Sequence, residues 1–350
     1  MRALLLTLTV LRFILNLESS ALSLDWTSRK EISMYVVTGA GPVGWTIAEQ
    51  LAEQGEDVRI LTRSGSGPDH PLIERMRVDA SDPKQTGQAL NGAAAVFHCI
   101  HGSAYRAAAW AAELPQAEQV VMDAAADAGA VVVFPESLYS YSEPDSVMTE
   151  AGPREASGGK RGVRTQLLRA RTAHKANTVS VVAGDFFGPR VRMAHAGERM
   201  VPLVTEGKSV LVIGSARQPH SFTYVPDLAA SMIAAARNPR LWNTVLHAPT
   251  GPALTQGELA AAFAEAAGVS VPKVSAIPGW VLRTAGLFST DMRELAEMLY
   301  QFERPFVMDS SQSQRLLGLE PTPLPEAAAA TVAWWRDAVR QAATTRHPSK

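Results

Sequence analysis

Cysteine is nearly missing from this chain of 350 residues: Cys99 is the only one. A single thiol excludes an intrachain disulfide framework and fits a reducing compartment, so a cytoplasmic location is expected. Lying in the apolar run Ala95 to Ile100, it reads as a core residue rather than a nucleophile. An excess of either charge sign is also lacking, with 33 basic against 34 acidic side chains and a formal net charge of −1. Nucleic-acid binding needs a basic field, and this chain has neither that nor a block of like charge. Met1 to Leu17 is apolar, but Arg12 interrupts it. No uninterrupted run approaches the roughly 20 residues of a membrane span. Internal repeats and long low-complexity tracts are absent too. The length suffices for one large or two modest domains around a substantial core.

Residues 1–33 stand apart. Arg2 before Ala3-Leu4-Leu5-Leu6 weakly resembles a signal peptide, and the four cations ahead of Met34 weakly suggest a transit peptide. Met34 directly precedes the first strand, where a protein of this architecture commonly begins. The segment is therefore expected to be a leader or an over-called start, outside the fold.

From there the pattern is informative. The short apolar strand Tyr35-Val36-Val37-Thr38 runs into Gly39-Ala40-Gly41-Pro42-Val43-Gly44, and the helix-like run Trp45 to Gln54 follows. G-x-G-x-x-G between a strand and a helix is the layout of a dinucleotide pyrophosphate site. Gly39 permits the tight turn, Gly41 lets the backbone approach the phosphates, and Gly44 allows close helix–strand packing. With Pro42 and Val43 they form the expected cradle, and the helix N-terminus offers N–H groups and partial positive charge to an anion.

The second strand, Asp57 to Thr62, ends at Arg63-Ser64. A site specific for NAD usually places an acidic residue near here for the ribose 2′-OH. Arg63 would face a 2′-phosphate instead, so NADP(H) is the preferred cofactor and NAD(H) the alternative. Ile73 to Val78 reads as a third strand ending at Asp79-Ala80, two further residues expected beside the cofactor. Pro83 to Leu90 is a short helix, Ala95 to Ile100 a fourth strand, and Ala104 to Ala128 contains a long helix. Ala130 to Phe134 is a fifth strand, stopped by Pro135. Arg161 to Lys175 forms the next helix and Thr178 to Ala183 a sixth strand. This alternation is that of a doubly wound parallel sheet. Beyond Gly184 it loosens. The expected organisation is an α/β, Rossmann-type core over 34–183 and a smaller substrate-binding part over 184–343, with some segments returning to the core. A tail follows over 344–350.

A set of segments in order resembles the extended short-chain dehydrogenase/reductases of the NAD-dependent epimerase/dehydratase type. Val96-Phe97-His98-Cys99-Ile100-His101 is similar to that family's "V-x-H-x-A", and Phe134 to Tyr141 to its "S-S-x-x-V-Y-G". Gly184-Asp185-Phe186-Phe187-Gly188-Pro189 is similar to "G-N-x-Y-G-P". Phe222 to Ala229 is similar to "F-x-Y-V-x-D-x-A", and Thr255 to Leu259 to a helix-opening "T-x-x-E-L". Trp334-Trp335 is similar to a closing "T-x-x-W". The resemblance implies an oxidoreductase or epimerase on a small hydroxyl or carbonyl substrate, with Ser137 at the catalytic-serine position. It also implies a homodimer.

Two departures stand out. The glycines are spaced one residue shorter than the usual G-x-x-G-x-x-G, and no Tyr-x-x-x-Lys exists in the chain. Lys160 can stand for the family's lysine, but Ala156 occupies the tyrosine position. The chemistry then rests on the groups that remain. Ser137 is expected to hydrogen-bond the reacting oxygen, and Lys160 to position the ribose or exchange a proton itself. Tyr139 and Tyr141 are the phenols that could substitute. His98 reads as part of the strand edge beside the cofactor. His98 and His101 do not make a metal pair, because neighbouring side chains on a strand alternate faces. Asp185 and His220 lie near the expected substrate mouth. A histidine at 220, where nucleotide-sugar enzymes of the family often carry arginine, argues mildly against such a substrate. Two readings stay open: an enzyme centred on Ser137 and Lys160, and an inactive NADP-binding sensor or regulatory protein of the same fold.

Overall fold

A computed structural model describes residues 34–346, with side chains to residue 338; the expected leader over 1–33 lies outside the described residues. Seven strands form one parallel sheet: β1 (Met34–Thr38), β2 (Val58–Thr62), β3 (Ile73–Arg77), β4 (Ala93–His98), β5 (Val131–Ser137), β6 (Thr178–Ala183) and a later strand, Thr244–His247, in the order last-β6-β5-β4-β1-β2-β3. Parallel strands buried on both faces need apolar residues throughout, and β1, β5 and β6 supply them. Helices Pro42–Glu53 and Val225–Ala236 cover one face, packing Ile47, Leu51, Leu228 and Met232 onto Val37, Phe97 and Val181. Helices Pro83–Ala89 and Ala107–Ala128 cover the other, where Val121, Met122 and Ala125 meet Val36, Val96 and Val132. The strand order reverses between β1 and β4, so a crevice opens there beyond their carboxyl ends.

The fifth strand runs three residues farther than its sequence implied, through Pro135 to Ser137. Val132 N–H donates to Asn177 O on the β6 side, so by alternation residues 133 and 135 present their nitrogens toward β4. Pairing with β4 ends at Phe97↔Val133, while pairing with β6 continues to Ser137↔Ala183. Pro135 therefore lacks an N–H only where no neighbour strand remains to receive one.

After Gly184 the chain builds two small parallel pairs. The strand Asp185–Phe187 pairs with Phe222–Tyr224, and Val210–Ile213 with Val274–Ile277. Around them Phe187, Val204, Phe222, Leu259, Phe263 and Val332 make a separate apolar cluster. Helix Gln256–Ala267 opens with a capping box, in which Thr255 Oγ1 accepts from Glu258 N–H at 3.1 Å and Glu258 Oε2 accepts from Thr255 N–H at 2.7 Å. The last helix, Leu324–Arg346, runs into the segment expected to be a tail. The described residues, 34–346, belong to one compact unit. No helix among the described residues is long and apolar enough to cross a membrane.

Candidate active site at the carboxyl edge of the sheet

Each glycine of the first turn has a distinct physical job. Gly39 takes φ +92°, a left-handed conformation, and its N–H donates to Leu61 O at 2.9 Å. A Cβ on Gly44 would lie 2.1 Å from Gly39 O, so the first helical turn rests directly on the loop. A Cβ on Gly41 would meet nothing within 4 Å. That backbone is open to approach. Gly41 also caps helix Pro42–Glu53, where no side chain caps the end and no acidic residue sits in the first turn. Pro42 has no N–H to lose, and the free N–H groups that follow, from Val43 on, leave the helix dipole uncompensated. A pyrophosphate fits this cradle.

Arg63 and Ser64 follow β2 on the surface. The Asp79 carboxyl is held below its ordinary range, first by hydrogen bonds from the Ser81 hydroxyl and N–H, with the Arg63 charge adding to them. Ser103 does the same for Glu113, again with help from Arg63. The Arg63 guanidinium thus sits near two carboxylates at this edge. Arg77, which sequence reasoning passed over, donates from Nη2 to Ser64 O at 3.3 Å and brings a second cation to the same corner. Ala80 is buried in the core, so only its backbone can border a ligand.

His98 is corrected by the structure. Its imidazole is not at the open edge but buried at 3% exposure, with Nδ1 2.9 Å from Thr38 Oγ1 and its edge against Phe134. Burial pulls its pKa down to about 4, opposed by Glu118 and aided by Arg171. The cause is register: His98 follows Val96 by two residues and shares its inward face. Among the described residues no cluster of three or more His, Cys, Asp or Glu side chains could hold a metal.

Ser137 does reach the carboxyl edge, half-buried at the end of β5. Behind it Glu136 is buried, accepting from Ser137 N–H at 2.8 Å and from Arg171 Nη1 at 2.8 Å. Arg171 binds Glu118 through two nitrogens and lies 4.0 Å from the Phe134 ring centre. This ionic network, unreadable from sequence, fixes the backbone under Ser137. Its members span 53 residues, so no local pattern announces it.

The two phenols part company. Tyr141 is buried, its hydroxyl 2.6 Å from His247 Nε2 and donating to Thr149 O at 2.9 Å. It is a packing and bracing residue, not a substitute acid. Tyr139 stays half-buried, stacks on Trp110 with centroids 6.3 Å apart, and places its hydroxyl 3.0 Å from that of Tyr105. Burial, then the charge of Asp185, pushes its pKa up to about 12. Ala156 is buried, its N–H donating to Ser140 O at 3.0 Å, so a methyl group stands where the resemblance called for a phenol.

Lys160 is likewise not open to a ligand in this conformation. Its side chain is 0% exposed and donates from Nζ to Glu294 O at 2.9 Å, to Glu294 Oε2, and to Glu297 Oε2 at 2.8 Å. Lys160 N–H donates to Glu297 Oε1 at 2.8 Å, and Ala107 N–H to Glu294 Oε2 at 3.1 Å. The two carboxylates therefore each serve a helix N-terminus as well as the ammonium. Both come from the segment at helix Thr290–Ala296, more than 130 residues away in sequence, which is why Lys160 looked free.

The structure brings Asp185 and His220 together. His220 Nε2 lies 3.1 Å from Asp185 Oδ2, and Nδ1 lies 2.9 Å from Gln301 O. Asp185 also acts electrostatically on Tyr105, Tyr139 and Tyr300, so these groups share one corner of the edge.

A Rossmann-type sheet with this glycine turn defines a class of dinucleotide-binding folds. The match of residues 35–244 to the NAD dependent epimerase/dehydratase family shows that the chain belongs to that family. Among curated proteins it is similar to the uncharacterized protein y4nG of Sinorhizobium fredii, 23% identical over 243 residues that make up 66% of this chain; it spans 60% of that relative's length. Among solved structures it is similar to UDP-glucose 4-epimerase from Thermotoga maritima with UDP-glucose, at TM-score 0.69 and 18% identity over 87% of this chain and 99% of that one. It is also similar to Bordetella bronchiseptica WbmH in complex with NAD+, at TM-score 0.67 and 20% identity over 87% and 98%. At such identities the structural likeness establishes the fold.

Proposed function

We propose that this chain binds a nicotinamide dinucleotide across the Gly39–Gly44 turn and is an oxidoreductase or epimerase/dehydratase-like enzyme acting on a small hydroxyl or carbonyl substrate. The observation that carries the reading is the turn itself, with Gly41 open where a ligand would lie and Gly44 packed so closely on the loop that an added Cβ would run into Gly39 O. Bound there, the dinucleotide supplies hydride exchange at carbon. The protein's share is to orient and to handle the proton. Ser137 donates its hydroxyl to the reacting oxygen from a backbone braced by Glu136. A Tyr139 phenol held near 12 keeps its proton at neutral pH, so it donates to an alkoxide-like oxygen rather than removing a proton. Lys160, neutralised by Glu294 and Glu297, acts as a positioning residue that ties the C-terminal part to the site.

NADP(H) is the preferred cofactor in this reading. Its support is Arg63, with Arg77 beside Ser64, and the lack of any acidic residue over Thr62 to Ser66. Calorimetric titration of the full chain with NADPH and NADH tests this. Tighter NADPH binding, lost in Arg63→Asp, is the expected result. Equal affinities would remove the preference, and no binding of either would remove the whole reading.

One observation favours a second reading, an NADP-binding sensor without turnover: the tyrosine position holds buried Ala156 and the lysine is enclosed by carboxylates. A screen of small carbonyls for NADPH oxidation separates the two. Turnover that falls in Ser137→Ala and Tyr139→Phe supports the enzyme. Binding intact with no turnover supports the sensor.

A further inference from the structure

The helix pair Gly279–Ala285 and Thr290–Ala296 commits only part of its apolar surface to the core. Leu282 joins Ile213, Leu299 and Phe302 in a buried cluster, and Met292, Leu295 and Ala296 pack against it. By contrast Trp280 is 68% exposed, Leu287 76% and Phe288 88%, with Val281 also in solvent. These are four of the ten exposed large apolar side chains among the described residues, and all fall within 280–288. A single exposed apolar side chain is ordinary, whereas a group of them marks a surface that something covers.

A frayed loop does not explain the exposure. Leu287 N–H donates to Thr284 O at 3.1 Å, Phe288 N–H to Ala285 O at 3.1 Å and Ser289 N–H to Ala285 O at 3.0 Å. Ser289 Oγ then accepts from Met292 N–H at 3.4 Å and caps the second helix. The backbone is pinned while the side chains stand in water. Charge around them is one-sided. Residues 270–293 carry four charged side chains, Lys273, Arg283, Asp291 and Arg293. Asp291 is taken by Arg106 and Arg283 by Glu303, while Glu294 and Glu297 serve Lys160. Lys273 and Arg293 are exposed with no carboxylate partner among the described residues. Two uncompensated cations therefore flank the apolar tip.

We infer that this tip docks on an anionic phospholipid bilayer, holding the protein at a membrane surface without crossing it. Leu287 and Phe288 enter the boundary between headgroups and acyl chains, and the Trp280 indole sits at headgroup level with its N–H toward water. Lys273 and Arg293 meet the lipid phosphates, and charge complementarity of this kind favours an anionic leaflet over a neutral one. Such docking needs neither turnover nor a bound dinucleotide.

The test is co-sedimentation of the full chain with vesicles of phosphatidylcholine, alone or mixed with phosphatidylglycerol. Binding to the mixed vesicles is expected, weaker on the neutral ones and weaker in high salt. Phe288→Ser should lower the partition roughly tenfold, and Lys273→Gln and Arg293→Gln about five-fold each. All three sites are exposed, so an unchanged thermal midpoint checks that the variants fold. Trp280→Phe keeps the apolar bulk and removes a reporter. The chain has seven tryptophans, and quenching by brominated phosphatidylcholine in the mixed vesicles should shrink in that variant. Residues 1–17, also apolar, are the same in every variant, so the Trp280 difference reports the helix pair alone. No binding to the mixed vesicles, or equal quenching in the parent and Trp280→Phe, would overturn the inference. So would a dimer that Phe288→Ser splits and that vesicles leave in solution, since the tip would then be a contact between two copies of the chain.

Discussion

At the scale of single residues, Gly41 and Gly44 make a controlled comparison. Both lack a side chain, and alanine is conformationally acceptable at Gly41, where φ is −71°. Gly41→Ala meets open space, so its unfolding free energy should stay within about 0.5 kcal/mol of the parent, as for a surface change. Dinucleotide affinity should nevertheless fall, because the new methyl occupies the approach. Gly44→Ala drives a Cβ into backbone at Gly39 O and should cost roughly 1–3 kcal/mol from overpacking. Chemical denaturation and titration of both variants check this; equal destabilisation would sink the division of roles. His98 carries a pH signature. Its folded pKa of about 4 lies below the ordinary 6.5, so the unfolded chain binds the extra proton. The stability it contributes is complete above pH 6.5 and is lost as pH falls toward 4, roughly 3 kcal/mol at most. His195 is depressed to about 4 as well and adds to the slope. Denaturation at pH 7 and pH 5 should show the parent losing more stability than His98→Gln. Equal losses would exclude His98 as the cause. The glycine roles were legible in sequence because backbone geometry is local. The fates of His98, Lys160 and Tyr141 were not, because each was set by partners or faces that only the assembled sheet defines.

At the scale of elements, helix Thr290–Ala296 is tied to the rest of the molecule by charge and by the apolar contacts of Met292, Leu295 and Ala296. Glu294 and Glu297 bind Lys160, and Asp291 meets Arg106 at 2.8 Å on the surface. The surface pair contributes little, about 0–1 kcal/mol. The buried ammonium matters more. Removing both carboxylates with Glu294→Gln and Glu297→Gln leaves it poorly compensated, and severing a buried pair from one side costs about 3–5 kcal/mol. The lower end applies, since the two carboxylate side chains keep 18% and 28% exposure. Hydrogen exchange should then speed up across residues 290–297 while the amides of β1, β4 and β5 keep their protection. Unchanged exchange in that helix would mean apolar contacts hold it, through Met292 and Leu295. Acid should act in the same direction. Burial raises the Glu294 pKa, but the Lys160 and Ala107 hydrogen bonds outweigh it and bring it below the usual 4.5. Its contribution is present above pH 4.5 and disappears as pH falls below. Sequence periodicity located most strands and helices of the core, because alternation between β and α patterns is strong there. It missed the end of β5, where Pro135 is tolerated only because β4 has already stopped. It also could not show which distant helix would sit on Lys160.

At the scale of the whole molecule, the core sheet was legible because its strands run in βα order from β1 to β6. The last strand was less so: Thr244–His247 joins the sheet after two small strand pairs have intervened, pairing with β6 through Val245↔Ser180 and Leu246↔Val181. Helix Val225–Ala236 likewise leaves the C-terminal part to cover the sheet beside helix Pro42–Glu53. The helix that opens at the glycine turn therefore packs against a segment of the C-terminal half, and Gln50 Nε2 donates to Pro226 O at 3.0 Å. A ligand seated in that turn binds only the folded state and should stabilise the molecule as one unit. Mass action sets the size: at a hundred times the dissociation constant the gain is about 2.7 kcal/mol. Thermal unfolding of the full chain with saturating NADPH should move upward as a single transition, with a smaller shift for NADH. Arg63→Asp should reverse that order, because the carboxylate repels a 2′-phosphate and accepts from a ribose 2′-OH. Gly41→Ala should reduce both shifts without lowering the ligand-free midpoint. An upward shift confined to one of two transitions would mean the halves unfold separately. No shift with either nucleotide, in a protein whose ligand-free transition is intact, would mean the turn is built for packing alone.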